Sequence, residues 1–199
     1  MAATPYHHGD LKNALIKAGT EILASEGLGG LSLRKVAKQA GVSHAAPYAH
    51  FKDKQALIAA ISTEGFKQLH SQIESVKKTY QANPGSLLIE TAWAYVQFAL
   101  NEPDRFKLMF SSALEKEKEY PDFVEISQKN FRQLVDIVEI CQGANILKSG
   151  DSELIALSVW GTVHGFVSLL LEGQISHSIL EKAPLKEILI DIIRNKGNE

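Results

Sequence analysis

The sequence predicts an all-α protein in two parts, a small three-helix head and a larger helical body, with about nine helices in total. Three observations carry this. Apolar residues recur at helical spacing, and no alternating apolar pattern survives over six positions. A tight Ala40-Gly41-Val42-Ser43 turn joins two short helical segments near the N-terminus. The stretch QANPGS at 81–86 breaks the pattern cleanly and separates head and connecting helix from body.

In the first helix Leu11, Leu15, Ala18, Ile22 and Leu23 form one stripe, and Glu26-Gly27 ends it near a glycine C-cap. Ser32 is placed to N-cap a second helix, LRKVAKQA, whose inward residues are Leu33, Val36, Ala37 and Ala40. Gly41 closes it, and Ser43 is expected to cap the next. From Lys54 a long helix runs to about Tyr80, with Leu57, Ile58, Ile61, Phe66, Leu69, Ile73 and Val76 inward. Further helices are expected at about 86–101, 103–113, 121–142, 152–172 and 184–195. The 18 residues between Glu153 and Glu172 carry no charge and reach the lower edge of a spanning helix. Ser158, Gly161, Thr162, His164, Gly165 and Ser168 interrupt them and both flanks are acidic, so a buried helix of a soluble protein is expected, with no membrane.

Composition is that of a globular chain, 45 % hydrophobic and 22 % charged over 199 residues. The net charge of −2 hides an asymmetry. Residues 1–54 hold seven Lys/Arg against four Asp/Glu, a formal +3, and the rest of the chain carries −5. Four of the seven histidines, His7, His8, His44 and His50, also fall in the head. A basic head on an acidic body points to a polyanion contact confined to the head. One cysteine, Cys141, offers no intramolecular disulfide and no thiol partner for zinc. With no signal-peptide pattern in MAATPYHHGD, a cytoplasmic location is expected. We find no phosphate-binding glycine loop, metal-ligand cluster or paired nucleophile, so no catalytic residue, metal or cofactor is expected.

The stretch LSLRKVAKQAGVSHAAPYAHFKDKQAL is where the pattern becomes specific. A Ser-capped helix with Val36-Ala37, then Ala40 to Ser43, then Tyr48, His50-Phe51, Lys54 and Leu57, resembles the DNA-binding domain of TetR-family regulators. The resemblance is close over about residues 9–56. Tyr6 to Leu11, the A-P-Y of the recognition segment, and Trp160 with His164-Gly165 (W-x-x-x-H-G) are similar to one branch of that family. It implies a helix-turn-helix domain over 1–54 (motif at about 32–52), a connecting helix over 55–80, and a ligand-binding and dimerisation domain over 81–199.

Residue chemistry fits those roles. Val42, Pro47 and Phe51 are spaced to face the head's core, leaving His44, Ala45, Tyr48, Ala49 and His50 outward. Tyr48, His50 and Lys54 suit phosphate oxygens, and Ser32 and Ser43 sit at helix starts, where amides attract phosphate. His44 can reach a base edge, Ala45 and Ala49 offer methyls for thymine, and Arg34 and Lys35 suit guanine or phosphate. With so few large polar readers, DNA shape is expected to contribute to specificity. Pro47 would fall in the first turn after a Ser43 cap and disfavour the helical region at Ala46, predicting a very short recognition helix tending to 3₁₀ geometry and ending near Phe51.

A head carrying so little charge needs two copies to hold a palindromic operator in duplex DNA, so a homodimer is expected. The helices over 154–171 and 185–193 would form its interface, through Leu157, Gly161, Gly165, Ser168, Ile188 and Ile192. The glycine pair allows a close backbone approach, either to a partner or within the chain. Trp93, Tyr95, Phe98, Phe106, Met109, Phe110, Phe131, Trp160 and His164 are candidates to line the pocket of an apolar small-molecule effector. For His164 a core histidine bonded to a neighbour is the competing reading, and the favoured one. The function expected is a repressor released by that effector; the alternative is a DNA-bound adaptor whose C-terminal domain recruits a protein.

Overall fold

The computed structural model describes the backbone of residues 8–197 and side chains of 11–194. Tyr6 and His7 of the N-terminal motif lie outside these residues, as do the side chains of His8 and Asp10. Among the described residues there is helix and no strand: α1 (His8–Gly30), α2 (Leu33–Gln39), α3 (Lys54–Tyr80), α4 (Pro84–Asn101), α5 (Pro103–Met109), α6 (Pro121–Gly143), α7 (Ser152–Leu171), α8 (His177–Leu180) and α9 (Leu185–Gly197). Two 3₁₀ turns, Ala46–Ala49 and Glu117–Glu119, complete the set. The expected helix count therefore holds with a changed membership: the recognition element is a 3₁₀ turn, and the short α8 was not anticipated.

The chain forms two compact units. The first is residues up to Phe66 with Pro103–Ser127, and the second is Lys67–Glu102 with Gln128 onward. Within the first, α1 packs on α2 and α5, and α2 packs on the 3₁₀ turn. Leu15, Val36, Ala37, Leu57 and Ile61 are fully buried at its centre, and the predicted stripes of α1, α2 and α3 supply them. Gly27, at φ 67° and ψ −174°, interrupts α1 where the glycine cap was expected. α5 stops at Met109, four residues short of the expected 113, because Ser111 turns back: its amide and hydroxyl both donate to Leu108 O, at 3.3 and 3.0 Å. A side chain that competes for the carbonyl in this way ends a helix.

In the second unit α4, α7 and α9 pack on one another around Val96, Phe98, Ala156, Val167 and Leu189. α4 starts at Pro84, two residues earlier than expected, since Asn83 is its N-cap and accepts from the Ser86 amide at 3.2 Å. Lys186 of α9 donates to both carboxylate oxygens of Glu90 on α4, each at 2.7 Å, and lies 5.9 Å from the centroid of the Trp93 ring. α7 is not the buried helix that was expected. Only Ala156, Val163, Phe166 and Val167 of its 20 residues are buried. One face packs on α4 and α9, while Leu154, Leu157 and Leu169 are more than half exposed. Among the described residues it is the one helix long and apolar enough to cross a membrane by length and composition.

Candidate nucleic-acid interface

The candidate interface is built on the turn after α2. Ser32, in extended conformation, accepts from the Lys35 amide at 3.2 Å and fixes the start of α2. Gly41 then reverses the chain at φ 69°, a left-handed conformation that a side chain would oppose. The expected Ser43 side-chain cap is absent: the 3₁₀ turn begins at Ala46, and what Ser43 offers is its carbonyl, to the Ala46 amide at 3.0 Å. The cause is Pro47. It has no N–H to return to Ser43 O, so an α-helix started at Ser43 would lack its first bond. The chain takes shorter steps instead, Tyr48 N to Ala45 O at 3.2 Å and His50 N to Pro47 O at 3.0 Å. Ala46, expected outside the helical region, is the first residue of the 3₁₀ turn.

Burial sorts the side chains as the spacing predicts. Pro47 and Phe51 are buried and Val42 half-buried, while His44, Ala45, Tyr48 and Ala49 are exposed and His50 is half-exposed. Tyr48 is 60 % exposed, high for so large a ring, and its phenol stands at the surface. On α2 Arg34 and Lys35 are both exposed, but Lys35 is paired with Glu26 of α1. Lys54 is half-buried, and its ammonium donates to Leu28 O just past the α1 kink, at 2.9 Å. That bond ties α3 to the end of α1, a structural task invisible in sequence.

The candidate pocket residues separate. Phe106, Met109 and Phe110 belong to the first unit, where Phe110 makes edge contacts with Phe66 and Phe106 lies against Phe110. In the second unit Tyr95, Trp160 and His164 form a hydrogen-bonded group, with Phe131 against Trp160. Trp160 Nε1 donates to the Tyr95 phenol oxygen at 3.2 Å, and that phenol lies 2.8 Å from His164 Nδ1. Burial pushes the Tyr95 phenol above its ordinary range and holds His164 below its own, so both stay neutral. His164 is thus bonded to a neighbour, and it is half-buried rather than in the core. Phe98 is core, and Trp93 is half-buried beneath Lys186. A groove of about 160 Å³ lined by Leu147, Ile155, Val159, Thr162 and Ile193 contains none of the nine candidates.

On α7, Leu157, Gly161, Gly165 and Ser168 share a face. A Cβ added at either glycine would meet no atom of the chain within 4 Å, so a close approach within the chain does not explain them. Ile188 and Ile192 of α9 are half-buried.

The chain is similar to known proteins in sequence and fold. Residues 15–61 match the family of bacterial regulatory proteins, tetR family, and residues 88–193 match the tetracyclin repressor-like C-terminal domain. A structure of a protein with unknown function from Rhodococcus sp. RHA1 is 32 % identical, with TM-score 0.81, over 97 % of this chain and 96 % of that one. The regulator FadR of Bacillus subtilis, solved with stearoyl-CoA, shares the fold at TM-score 0.73 and 19 % identity, over 93 % of this chain and 97 % of that one. An HTH-type transcriptional regulator of Bacillus subtilis, YobS, is 26 % identical over 111 residues, which are 56 % of this chain and 57 % of that relative.

Proposed function

Because the chain belongs to the TetR family of transcriptional regulators, we propose that it is a dimeric cytoplasmic repressor, released from a palindromic operator by a small apolar effector. The observation that carries the reading is the recognition turn. It is pre-formed by Pro47 and anchored by buried Phe51, yet presents Tyr48, His44, Ala45 and Ala49 to solvent. Tyr48 and His50 hold phosphates, with the two remaining N–H groups of Lys54; His44 and the alanine methyls meet base edges; Arg34 is the guanine or phosphate donor of α2. Ser32, Ser43 and Lys35 position this surface, the first through its cap and the last through Glu26. Residues 1–54 act as the DNA-binding domain, 55–80 as the connection and 81–199 as the effector and dimer domain.

The dimer forms through the open face of α7, with Leu157, Gly161, Gly165 and Ser168, together with Ile188 and Ile192 of α9. Open space beside both glycines supports this, since it leaves room for a second backbone. Two heads then span neighbouring major grooves about 34–36 Å apart. Trp93, Tyr95, Phe98, Phe131, Trp160 and His164 serve the effector response in one unit, and Phe106, Met109 and Phe110 in the other. The stearoyl chain of the ligand solved with FadR makes long-chain acyl compounds the first to screen for such an apolar effector. Selection of bound duplexes from a random pool tests the reading. A palindromic product bound by the dimer, and released by an apolar compound, is expected. Recovery of no enriched sequence would sink it. Tyr48→Phe should weaken binding by a similar factor on all sequences, as loss of a phosphate contact does.

A further inference from the structure

The first unit contains a segment distant in sequence from its helix-turn-helix. The loop between α5 and α6 lies against the residues that follow the recognition turn. Gln55, one residue into α3, clamps it with both ends of its amide: Nε2 donates to Ala113 O at 3.1 Å, and Oε1 accepts from the Glu115 amide at 2.8 Å. So anchored, the loop brings Glu119 and Tyr120 to Lys52, the exposed cation two residues past His50. Lys52 Nζ is 3.3 Å from Glu119 Oε2 and 5.4 Å from the centroid of the Tyr120 ring. Asp53 is the other acidic group beside it, and Lys116 Nζ stands 3.7 Å from the second carboxylate oxygen of Glu119.

We propose that Lys52 is a further phosphate-binding residue of this regulator and that Glu119 competes with DNA for it, so that the α5–α6 loop sets how tightly the head grips duplex DNA. This rests on the DNA-binding reading of the head. The physics favours exchange rather than a permanent bond. Lys52 and Glu119 are about half exposed, and such pairs contribute little. A backbone phosphate presents the same single negative charge, and binding it also releases a counterion. Glu119 keeps Lys116 as a second cation when Lys52 leaves it, so the exchange strands no charge. The Gln55 clamp does not involve the ion pair and holds the loop in either state. Hydrogen bonding to Glu119 raises the Lys52 pKa above its ordinary value.

The test is binding of fluorescent random-sequence duplex DNA to the full chain across a salt series, for wild type, Glu119→Gln, Lys52→Ala and the double variant. Glu119→Gln should bind about two- to fivefold tighter than wild type, the range expected for an exposed ion pair. Its log–log salt slope should steepen by up to about one. In the Lys52→Ala background the same change should do nothing. An unchanged Glu119→Gln variant, or one that gains equally without Lys52, overturns the competition. If wild type binds no duplex at low salt, the DNA-binding reading fails first and takes this inference with it.

Discussion

The two units of this chain place their apolar and polar groups in opposite ways. In the first, no large aliphatic side chain among the described residues is exposed, and the prominent exposed residue is an amphipathic tyrosine, Tyr48. In the second, a hydrogen-bonded Tyr95–Trp160–His164 group sits partly inside, while three leucines of α7 stand in solvent. Under the proposed function the difference separates two kinds of task. A surface that meets a polyanion needs hydroxyls, imidazoles and cations over a rigid apolar base. One that meets a second copy of itself needs exposed apolar area and little else.

The contrast can be broken at its base. Phe51 is 2 % exposed at the end of the recognition turn, and Phe51→Ala should cost about 3–5 kcal/mol. Denaturant unfolding should reveal that loss, and DNA binding should vanish with the turn. Leu157, by comparison, is half exposed, so Leu157→Glu should change the stability of dilute protein by less than about 0.5 kcal/mol. It should nevertheless weaken self-association roughly 100-fold, or about 2.7 kcal/mol. Sedimentation at several concentrations reads this directly, and an unaltered dimer would remove α7 from the interface.

Smaller effects sharpen the second unit. Tyr95→Phe removes the hydroxyl that Trp160 Nε1 and His164 Nδ1 share and should cost about 1 kcal/mol, measured by thermal melts. His164 has the smallest effect, and its sign follows from its depressed pKa. Between that pKa and the unfolded value near 6.5 the unfolded chain binds the proton more readily. Its contribution is therefore complete above about pH 6.5 and is lost as pH falls below that value. Melting temperatures across this range should fall more steeply in wild type than in His164→Asn.

Much of this was legible in the residues themselves. The stripes Leu11–Leu23 and Leu57–Ile73 mark buried faces because helical periodicity repeats within a few residues. Gly41 marks the turn because its conformation is local. The short recognition turn was legible for the same reason, since the missing N–H of Pro47 acts on residues within four positions. What failed locally was the cap: Ser43 suits an α-helix that Pro47 prevents from starting there. α7 misled in another way, because absence of charge signals burial without saying against what.

The sequence by itself determined the helical class, the reversal at Gly41 and the outward set His44, Ala45, Tyr48 and Ala49, all consequences of spacing and backbone chemistry over one or two turns. Only the tertiary structure decided that Lys54 is spent on Leu28 O, that Lys35 answers Glu26, and that Gln55 and Lys52 receive a loop some 60 residues away. Only there do Gly161 and Gly165 face open space. The physical reason is that a long polar side chain chooses its partner from whatever packing brings within about 3 Å. Periodicity carries no record of that choice.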